Sequence, residues 1–469
     1  MKQKAKFILV GLAGLLAGAA LTVNLSAIAD KDAETALPVE ELRAFTDVFA
    51  RIKSDYVEPV EDKKLITEAI NGMLTGLDPH SAYLDTEAFK DLQVGTQGEF
   101  GGLGIEVGME DGFVKVISPI EDTPAFKAGV KPGDLIIKLD DTPVKGMTLN
   151  DAVKRMRGKP GSSIKLTIAR KGVDKPIVLT LTRAVIKIRS VKSTLLDSGY
   201  GYVRVTQFQE HTGELLAEAL KTLYKDNKAP LKGLILDLRN DPGGLLNGAV
   251  AVTAAFVKPD SLVVYTEGRS EDAKMRLTAS REHYLRPLQL DYLKGLPDGL
   301  KQVPMVVLVN GGSASASEIV AGALQDHKRA VIMGTQTFGK GSVQTILPIG
   351  NGTAIKLTTA RYYTPGGRSI QAKGIVPDIV VEDPAMPSDE DFGIREADLE
   401  RHLSNGLEPK EEPAAKPSDV IKQPPSDKPK SDKDKKPVPL EPGEIVSKND
   451  FQVNQALNLL KGLQIFQGR

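Results

Sequence analysis

Three serines occupy alternate positions in the stretch NGGSASASEIVAGALQDH, residues 310–327, just before an apolar helical pattern. A serine at the point where a strand meets a helix can attack a carbonyl carbon, because the N–H groups and the dipole at the helix start stabilise the resulting oxyanion. The three are Ser313, Ser315 and Ser317. Their spacing alone does not separate a nucleophile from a residue that caps the helix.

A second stretch, GTQTFGKGSVQ, residues 334–344, offers a base for such a serine. Its Lys340 stands between two glycines on a loop that follows an apolar strand pattern. A lysine becomes a general base only when burial or nearby positive charge lowers its pKa by several units. The two stretches therefore predict a serine–lysine dyad, and the alternative is that Lys340 is a surface cation of the loop.

Two other chemistries fit these patterns less well. A phosphate-binding loop would need Ser or Thr where Gly341 stands, and a helix where SVQTILPIG predicts a strand. A Ser-His-Asp hydrolase would need a Gly-x-Ser-x-Gly elbow, which the sequence lacks. The histidines lie in polar, helical or irregular contexts: His80, His211, His283, His327 and His402. A Ser-x-x-Lys motif of the β-lactamase kind occurs at Ser162 and Lys165. It lies on a predicted strand, where these two side chains face opposite sides of the sheet and cannot act together.

Residues 184–408 supply the elements that position the serine and the lysine. GLILDL, VPMVVLVN and AVIMG are unbroken apolar strands, and helical patterns follow the first two. Buried strands that alternate with helices predict an α/β core with parallel pairing. Residues 267–302 are charged and without clear period, and we interpret them as an insertion.

Residues 98–183 form a separate β-rich pattern. FGGLGIEVGMEDGFVKVIS predicts two strands joined at Asp111-Gly112, and AGVKPGD, LIIKL, a helix in TLNDAVKRMRG and SIKLTIAR follow. This order resembles a PDZ domain of the bacterial, protease-associated type, which binds a chain end as an added strand. The resemblance implies a loop that binds the terminal carboxylate through backbone N–H groups, made of Gly102, Leu103, Gly104 and Ile105. It also implies a side-chain pocket lined by Ile105, Val107, Val153 and Met156. The alternative is a β-rich domain whose glycines serve only tight turns.

The two ends of the chain differ from this centre. Lysines, an apolar run at 7–23 and small residues before Asp30 predict a signal peptide at 1–29, or else an uncleaved membrane anchor. Residues 30–97 predict a small helical region. Residues 409–444 are rich in proline and charge and predict a disordered linker. Residues 445–469 predict an amphipathic helix, which we expect to dock on the protein's own body or on another subunit.

Composition narrows the classes of partner. The chain of 469 residues has no net charge, no cysteine and no tryptophan. The charge balance gives no indication of a nucleic-acid or anionic-membrane partner. The absence of cysteine excludes disulfides, thiolate metal sites and a cysteine nucleophile. We expect neither a metal nor a cofactor.

The serine and lysine stretches together resemble the carboxyl-terminal processing (tail-specific) serine peptidases. The resemblance covers nearly the whole chain, because GLDPHSAY, the PDZ-like segment, LDLRNDPGG and both stretches occur in the family's order. It implies Ser315 as nucleophile, Lys340 as base and Gln344 as the residue that orients the lysine. It also implies the backbone N–H groups of Ala316 and Gly243 as oxyanion donors.

Each assignment has a structural alternative, namely a capping role for the serine, a surface position for the lysine and an ordinary strand position for Gln344. Asp326 matches a position sometimes grouped with this site. However, eleven helical residues would place it ~16 Å along the helix axis from Ser315. Asp326 therefore gives only weak support.

The resemblance implies an α/β protease core of crotonase/Clp-protease-like βαβ units with an inserted PDZ domain. The expected protein is a periplasmic serine endopeptidase that binds substrates by apolar C-terminal tails, with a PDZ domain that also gates the site. An activating adaptor and a homo-oligomer joined by the terminal helices are further expectations. The alternatives are an inactive PDZ adaptor and a crotonase-like acyl transferase.

Overall fold

The computed structural model describes residues 37–120, 122–173, 175–187, 189–382, 394–407 and 444–467. The predicted signal peptide lies outside these residues, and so does the predicted linker except its last residue. No helix of the described residues is long and apolar enough to cross a membrane. The chain divides into two compact units at Gly72.

The described part of the first unit is helical, as the 3.6-residue apolar period predicts. Its helices are α1 (Val39–Asp55) and α2 (Asp62–Thr75), the second of which runs past the boundary between the units. Helix α1 buries none of its residues, so its apolar stripe, which includes Leu42, Phe45 and Ile52, is exposed.

A short strand and a helix lead into the second unit. They are β1 (Ala82–Leu84) and α3 (Thr86–Gln97). The Asp85 carboxylate caps α3 by accepting from Ala88 N–H at 2.8 Å, and Gly98 ends it with φ of 75°. Strand β2 (Glu99–Gly102) follows and pairs antiparallel with β9 (Ala184–Lys187), so these two strands bracket the β-rich segment between them.

That segment forms a sheet around its own apolar cluster. Its sheet order is β3-β4-β5-β7-β8, with β6 beside β5. The elements are β3 (Ile105–Glu110), β4 (Phe113–Pro119), α4 (Pro124–Lys127), β5 (Leu135–Leu139), β6 (Thr142–Pro143), α5 (Leu149–Met156), β7 (Ser163–Ala169) and β8 (Ile177–Thr182). Asp111 and Gly112 join β3 to β4 with positive φ, as predicted. Strand β3 lies at the edge of the sheet and leaves one side open.

The α/β core begins at residue 191. Its elements are β10 (Val191–Asp197), β11 (Tyr200–Val205), α6 (Thr212–Asn227), β12 (Gly233–Asp237), α7 (Leu246–Ala254), β13 (Leu262–Gly268), β14 (Arg276–Thr278), α8 (Arg281–Tyr284), β15 (Met305–Val309), α9 (Ala316–Asp326), β16 (Val331–Gly334), β17 (Ser342–Gly350), β18 (Thr353–Tyr363), β19 (Ile379–Val380) and α10 (Phe451–Gln467).

One core sheet has the order β10-β11-β12-β15-β16-β19, and only β10 in it is antiparallel to its neighbour. The parallel pairing predicted from the three apolar runs is therefore confirmed. A second sheet has the order β1-β18-β13-β14, with β17 paired to β18 as a hairpin. Successive strand residues face opposite sides, so Leu234 and Leu236 pack toward α6, α7 and α9, whereas Ile235 packs toward α10.

Helix α10 covers the far face of the first core sheet. Val453, Ala456 and Leu460 are buried against a set of strand residues on this face: Tyr200, Tyr202, Ile235, Val306, Leu308 and Met333. We expected the terminal helix to dock either on the protein's own body or on another subunit, and in the structure it docks on the protein's own body. The apolar face that we expected to join copies of the chain is therefore covered within one chain.

This docking predicts the effect of two truncations on α10. Leu460→Ala should lower the free energy of unfolding by about 2–5 kcal/mol, since it opens a cavity in a fully buried contact. Ile465→Ala, at a side chain that is 61% exposed, should change it by less than ~0.5 kcal/mol. Urea unfolding monitored by circular dichroism measures both. Equal, small effects would show that α10 does not stabilise the chain by this contact.

Candidate active site

The structure separates the three serines of the SASAS stretch. Ser313 and Ser317 are fully buried, and their hydroxyls donate to main-chain carbonyl oxygens at 2.7 and 2.9 Å. Ser315 lies at the start of α9 with φ of 56° and ψ of −112°, a conformation that costs a non-glycine residue about 1–3 kcal/mol. Its hydroxyl faces the phenol of Tyr362. Ser315 is thus the one of the three whose hydroxyl donates to no main-chain carbonyl oxygen among the described residues.

The buried carboxylate of Glu318 holds the serine turn and the lysine loop together. One oxygen accepts from Ser315 N–H at 2.7 Å and from Lys340 N–H at 2.9 Å. The other accepts from Gly339 N–H at 2.7 Å and from the Thr337 hydroxyl at 2.5 Å. Burial raises the pKa of Glu318 to about 7, while these four hydrogen bonds oppose the rise. A single side chain therefore fixes the backbone of both predicted dyad residues.

Lys340 lies on the loop between β16 and β17, mostly withdrawn from solvent. Burial lowers the pKa of its ammonium, and the positive charge of Lys356 lowers it further. The carboxylates of Glu396, Glu318 and Asp78 act in the opposite direction. The net lowering is the property that a lysine base requires.

The side chains of Ser315 and Lys340 are not joined in this structure. Within the described part of the chain, Lys340 Nζ makes no hydrogen bond and no ion pair. The Tyr362 phenol lies between the two loops, since it faces the Ser315 hydroxyl and donates to the Lys340 carbonyl oxygen. The structure thus brings the two residues onto one carboxylate through their backbones without a direct contact of their side chains.

Gln344 lies on β17, four residues after the lysine. Its amide nitrogen donates to the Ser342 hydroxyl at 3.0 Å and to the Thr358 hydroxyl at 3.2 Å. Both bonds use the nitrogen, so the carbonyl oxygen of the side chain is the atom left to accept from an ammonium. The structure places no hydrogen bond between Gln344 and Lys340 among the described residues.

The two predicted oxyanion donors lie side by side. A Cβ added to Gly243 would meet Ala316 N and Ser315 Cβ, each at 2.8 Å, and Gly243 has φ of 93°, so only glycine fits this approach. Ala316 begins α9, and the N–H groups of a first helical turn have no carbonyl partner within the helix. The Gly243 N–H, however, donates to Asp241 Oδ1 at 2.8 Å, so it is not free in this arrangement.

Asp241 is therefore part of the turn that faces the serine. Its main-chain carbonyl accepts from Ala314 N–H at 3.0 Å and from the Ser317 hydroxyl, which ties the turn to the start of α9. Its carboxyl is buried, and Oδ2 has no hydrogen-bond partner among the described residues. Burial raises the pKa of this carboxyl to about 7, against the hydrogen bond from Gly243.

A second polar network supports the lysine loop from the side of the GLDPHSAY segment. His80 Nε2 lies 2.8 Å from Glu396 Oε2, and the Gln371 amide donates to Glu396 Oε1 at 2.8 Å. The Gln371 side-chain oxygen in turn accepts from Gly341 N–H at 3.0 Å. Hydrogen bonds from His80 and Gln371 hold the pKa of Glu396 below its usual value despite its burial.

Asp326 does not reach this site. It lies at the far end of α9, where its carboxylate accepts from Gly366 N–H at 2.7 Å and from Arg368 Nη2 at 2.5 Å. These bonds fix the turn after β18. The structure gives Asp326 a place in that turn and none beside Ser315.

The PDZ-type groove residues share one apolar cluster. Leu103 and Met156 are buried in it, and Ile105, Val107 and Val153 pack against it. Gly104 has φ of 75°, and a Cβ there would lie 2.3 Å from Thr123 Cβ, which explains the glycine. Gly102 instead ends β2 and pairs with Ala184, so it stands outside the loop that we assigned to carboxylate binding.

Sequence reasoning missed three side chains that shape the site. Glu318 could have been found, because Ser315-Ala-Ser-Glu318 has the spacing of a capping box, in which the glutamate accepts from the backbone of the cap residue. Tyr362 and Glu396 come from distant parts of the chain, and no local pattern marks them.

Comparison with known proteins agrees with this architecture. The peptidase family S41 model matches residues 199–381, a PDZ domain model matches residues 101–181, and the model of the activating protease CtpB N-terminal domain matches residues 8–88. The family-model matches thus extend from near the start of the chain through both the β-rich segment and the core that carries Ser315 and Lys340.

Individual relatives extend this match to nearly the full length. A carboxy-terminal-processing protease of Bartonella bacilliformis is 44% identical over 96% of this chain and 95% of its own. The carboxy-terminal processing protease CtpA of Bacillus subtilis is 36% identical over 82% of this chain and 78% of its own. The solved photosystem II D1 C-terminal processing protease is 30% identical, with a TM-score of 0.41, over 76% of this chain and 92% of that one. The chain therefore belongs to the carboxy-terminal processing proteases of peptidase family S41, serine peptidases that here carry a PDZ domain.

Proposed function

We propose that this serine peptidase cleaves through a Ser315–Lys340 dyad and selects substrates by an apolar C-terminal tail. The observation that carries the proposal is the shared carboxylate of Glu318, which binds the backbone N–H of both residues. Ser315 has a hydroxyl at a helix start that donates to no main-chain carbonyl oxygen among the described residues, and Lys340 has a lowered pKa. These are the properties that an activated serine and its base need.

In the proposed reaction, neutral Lys340 removes the proton of the Ser315 hydroxyl as its oxygen attacks the carbonyl carbon. The lysine then gives that proton to the leaving amine, and an acyl-enzyme ester remains on Ser315. Water then attacks the ester carbonyl as Lys340 takes its proton, and Lys340 returns that proton to the Ser315 oxygen as the ester bond breaks. The carboxylic acid product leaves, and the Ser315 hydroxyl and the neutral lysine are restored. The Gln344 side-chain oxygen orients the ammonium, and the N–H groups of Ala316 and Gly243 stabilise the oxyanion.

We propose that the described arrangement is a resting one. The Gly243 N–H donates to Asp241, and the Ser315 hydroxyl faces Tyr362 instead of the lysine. Catalysis then requires a small rearrangement in which Gly243 N–H turns from the carboxyl to the substrate. Engagement of the PDZ groove by a substrate tail, or of an activating adaptor, is the proposed trigger.

The proposed tail site is the open edge of β3 with the Leu103–Gly104 loop. An edge strand with unpaired main-chain groups can add a substrate segment as a further strand. The pocket made by Ile105, Val107, Val153 and Met156 is apolar, which favours an apolar last residue.

Export and assembly are also proposals. The basic start and apolar run at 7–23 support export to the periplasm. Association of copies through the terminal helices would require α10 to exchange onto the sheet of a second copy, because its apolar face is covered in its own chain.

Lys340→Arg tests the base. Arginine keeps the charge and nearly the same reach, but its guanidinium stays protonated at any usable pH. We expect Lys340→Arg to be as inactive as Ser315→Ala, with both folds intact by circular dichroism. Wild-type activity should rise with pH through the lowered pKa of Lys340, since the neutral amine is the active form. A folded and active Lys340→Arg enzyme would rule out the dyad.

Glu318→Gln tests the shared carboxylate. An amide presents one accepting oxygen, so two of the four buried donors lose their partner, at a cost of roughly 2–6 kcal/mol in the free energy of unfolding. We expect kcat to fall as well, because both loops lose their common anchor. Urea unfolding and steady-state kinetics measure the two effects, and the exposed Glu218→Gln is the control. Unchanged kcat in a folded Glu318→Gln protein would contradict this role.

Amidation of a substrate tests tail recognition. A peptide with an amidated C-terminus should be cleaved about tenfold or more slowly than its acid, since hydrogen bonds to a charged group are worth ~1.5–3 kcal/mol. The same peptide acetylated at its N-terminus changes the charge at the other end and serves as control. Equal rates for acid and amide would mean that the groove does not bind the carboxylate.

A further inference from the structure

The start of helix α10 contacts the strand end that leads into the Gly243 turn. Arg239 lies two residues after the end of β12 and directly before the turn residues 240–244. Its guanidinium donates to Asp450 Oδ1 at 3.1 Å, to Asp450 Oδ2 at 2.8 Å and to Gln452 Oε1 at 2.9 Å. The start of the terminal helix is therefore hydrogen-bonded to the residue that immediately precedes the oxyanion turn.

The same guanidinium is locked on its other side by a buried carboxylate. Arg239 Nη2 donates to Asp237 Oδ2 at 2.6 Å, and Asp237 Oδ1 also accepts from Arg239 N–H at 2.9 Å. The Tyr202 hydroxyl donates to Asp237 Oδ2 at 2.7 Å. All three side chains are buried, so this network has few alternative partners and fixes the direction in which the chain leaves β12.

The turn itself contains residues with positive φ and lies close to Ser315. Asn240 has φ of 55° and Gly243 has φ of 93°. Asn240 is held by a pair of hydrogen bonds with Asn310, which directly follows β15 and begins the serine stretch. Such a turn keeps its shape only when the residues that flank it are fixed. A loss of the Arg239 anchor would therefore displace Gly243 relative to Ser315.

We infer that the terminal helix is a positioning element for catalysis, acting through Asp450 and Arg239 on the oxyanion turn. This inference rests on the proposed dyad and oxyanion site. It assigns to α10 a role in the rate of bond cleavage in addition to its packing on the sheet. The carboxylate of Asp450 is the critical group, because its charge is paired with a guanidinium that is largely desolvated.

Asp450 also caps α10, since its Oδ1 accepts from Val453 N–H at 3.0 Å, and two substitutions separate the roles. Asp450→Asn keeps a good helix cap but loses the charge, whereas Asp450→Glu keeps the charge but is a poor cap. A positioning role predicts that Asp450→Asn has the lower kcat of the two. A purely structural role predicts that Asp450→Glu has the lower kcat of the two.

The test measures kcat and KM for a peptide substrate with full-length variants, well below their melting temperatures. Asp450→Asn should lower kcat about tenfold, a part of the ~10²–10³-fold loss that removal of an oxyanion donor causes. Its KM should stay within about twofold, since the PDZ groove is untouched. The control is Lys461→Gln, which breaks the ion pair with Asp197 in the second half of the docked helix and should leave kcat unchanged.

The possible results distinguish a failure of the positioning role from a failure of the proposed dyad. If wild-type cleavage depends on Ser315 but Asp450→Asn retains full kcat, the positioning role is wrong and the proposed function stands. If Lys461→Gln and Asp450→Asn lower kcat equally, general loosening of α10 explains the result and the inference fails. If Ser315→Ala cleaves as fast as wild type, the proposed dyad itself is wrong.

Discussion

The arrangement of this active site depends on one buried carboxylate. Glu318 accepts four hydrogen bonds, from the backbone of Ser315, Gly339 and Lys340 and from the hydroxyl of Thr337. A buried carboxylate is costly unless its lone pairs are satisfied, and its donors come from two loops that α9 and β16 separate in the sequence. A hydrogen bond from Phe338 N–H to the Ser313 carbonyl oxygen also joins these loops. The carboxylate can be satisfied only when both loops are in place, so the burial of Glu318 and the geometry of the proposed dyad residues form together.

The surrounding sheets position the loops whose N–H and hydroxyl groups donate to that carboxylate. Strand β15 leads into the serine stretch before α9, and neighbouring β16 leads into the lysine loop. Because the two strands are parallel, both segments lie at the same edge of the sheet. The β17–β18 hairpin then brings Tyr362 against the Lys340 carbonyl. Around this centre, His80, Glu396 and Gln371 hold the backbone beyond the lysine from the other side.

Much of the fold could be predicted from the sequence. The unbroken apolar runs of β12, β15 and β16 and the helical periods after the first two specify a parallel α/β core, since strands covered on both faces need apolar residues throughout. The Asp111-Gly112 turn follows from another local signal, a dipeptide that readily adopts positive φ. The helical period of α10 also predicted an amphipathic helix, but a solitary apolar face does not indicate which surface covers it.

The sequence by itself determined the types of the proposed reacting groups, because a serine before a helix and a lysine between glycines are visible as local patterns. It also contained the Ser-x-x-Glu spacing that places Glu318 at the start of α9. Only the tertiary structure decided which two serines donate to main-chain carbonyl oxygens and where the Gly243 N–H points. It also decided that Asp450 pairs with Arg239, more than two hundred residues away in the sequence. Hydrogen bonds and burial between distant segments depend on how the sheets pack, and no local period encodes that packing.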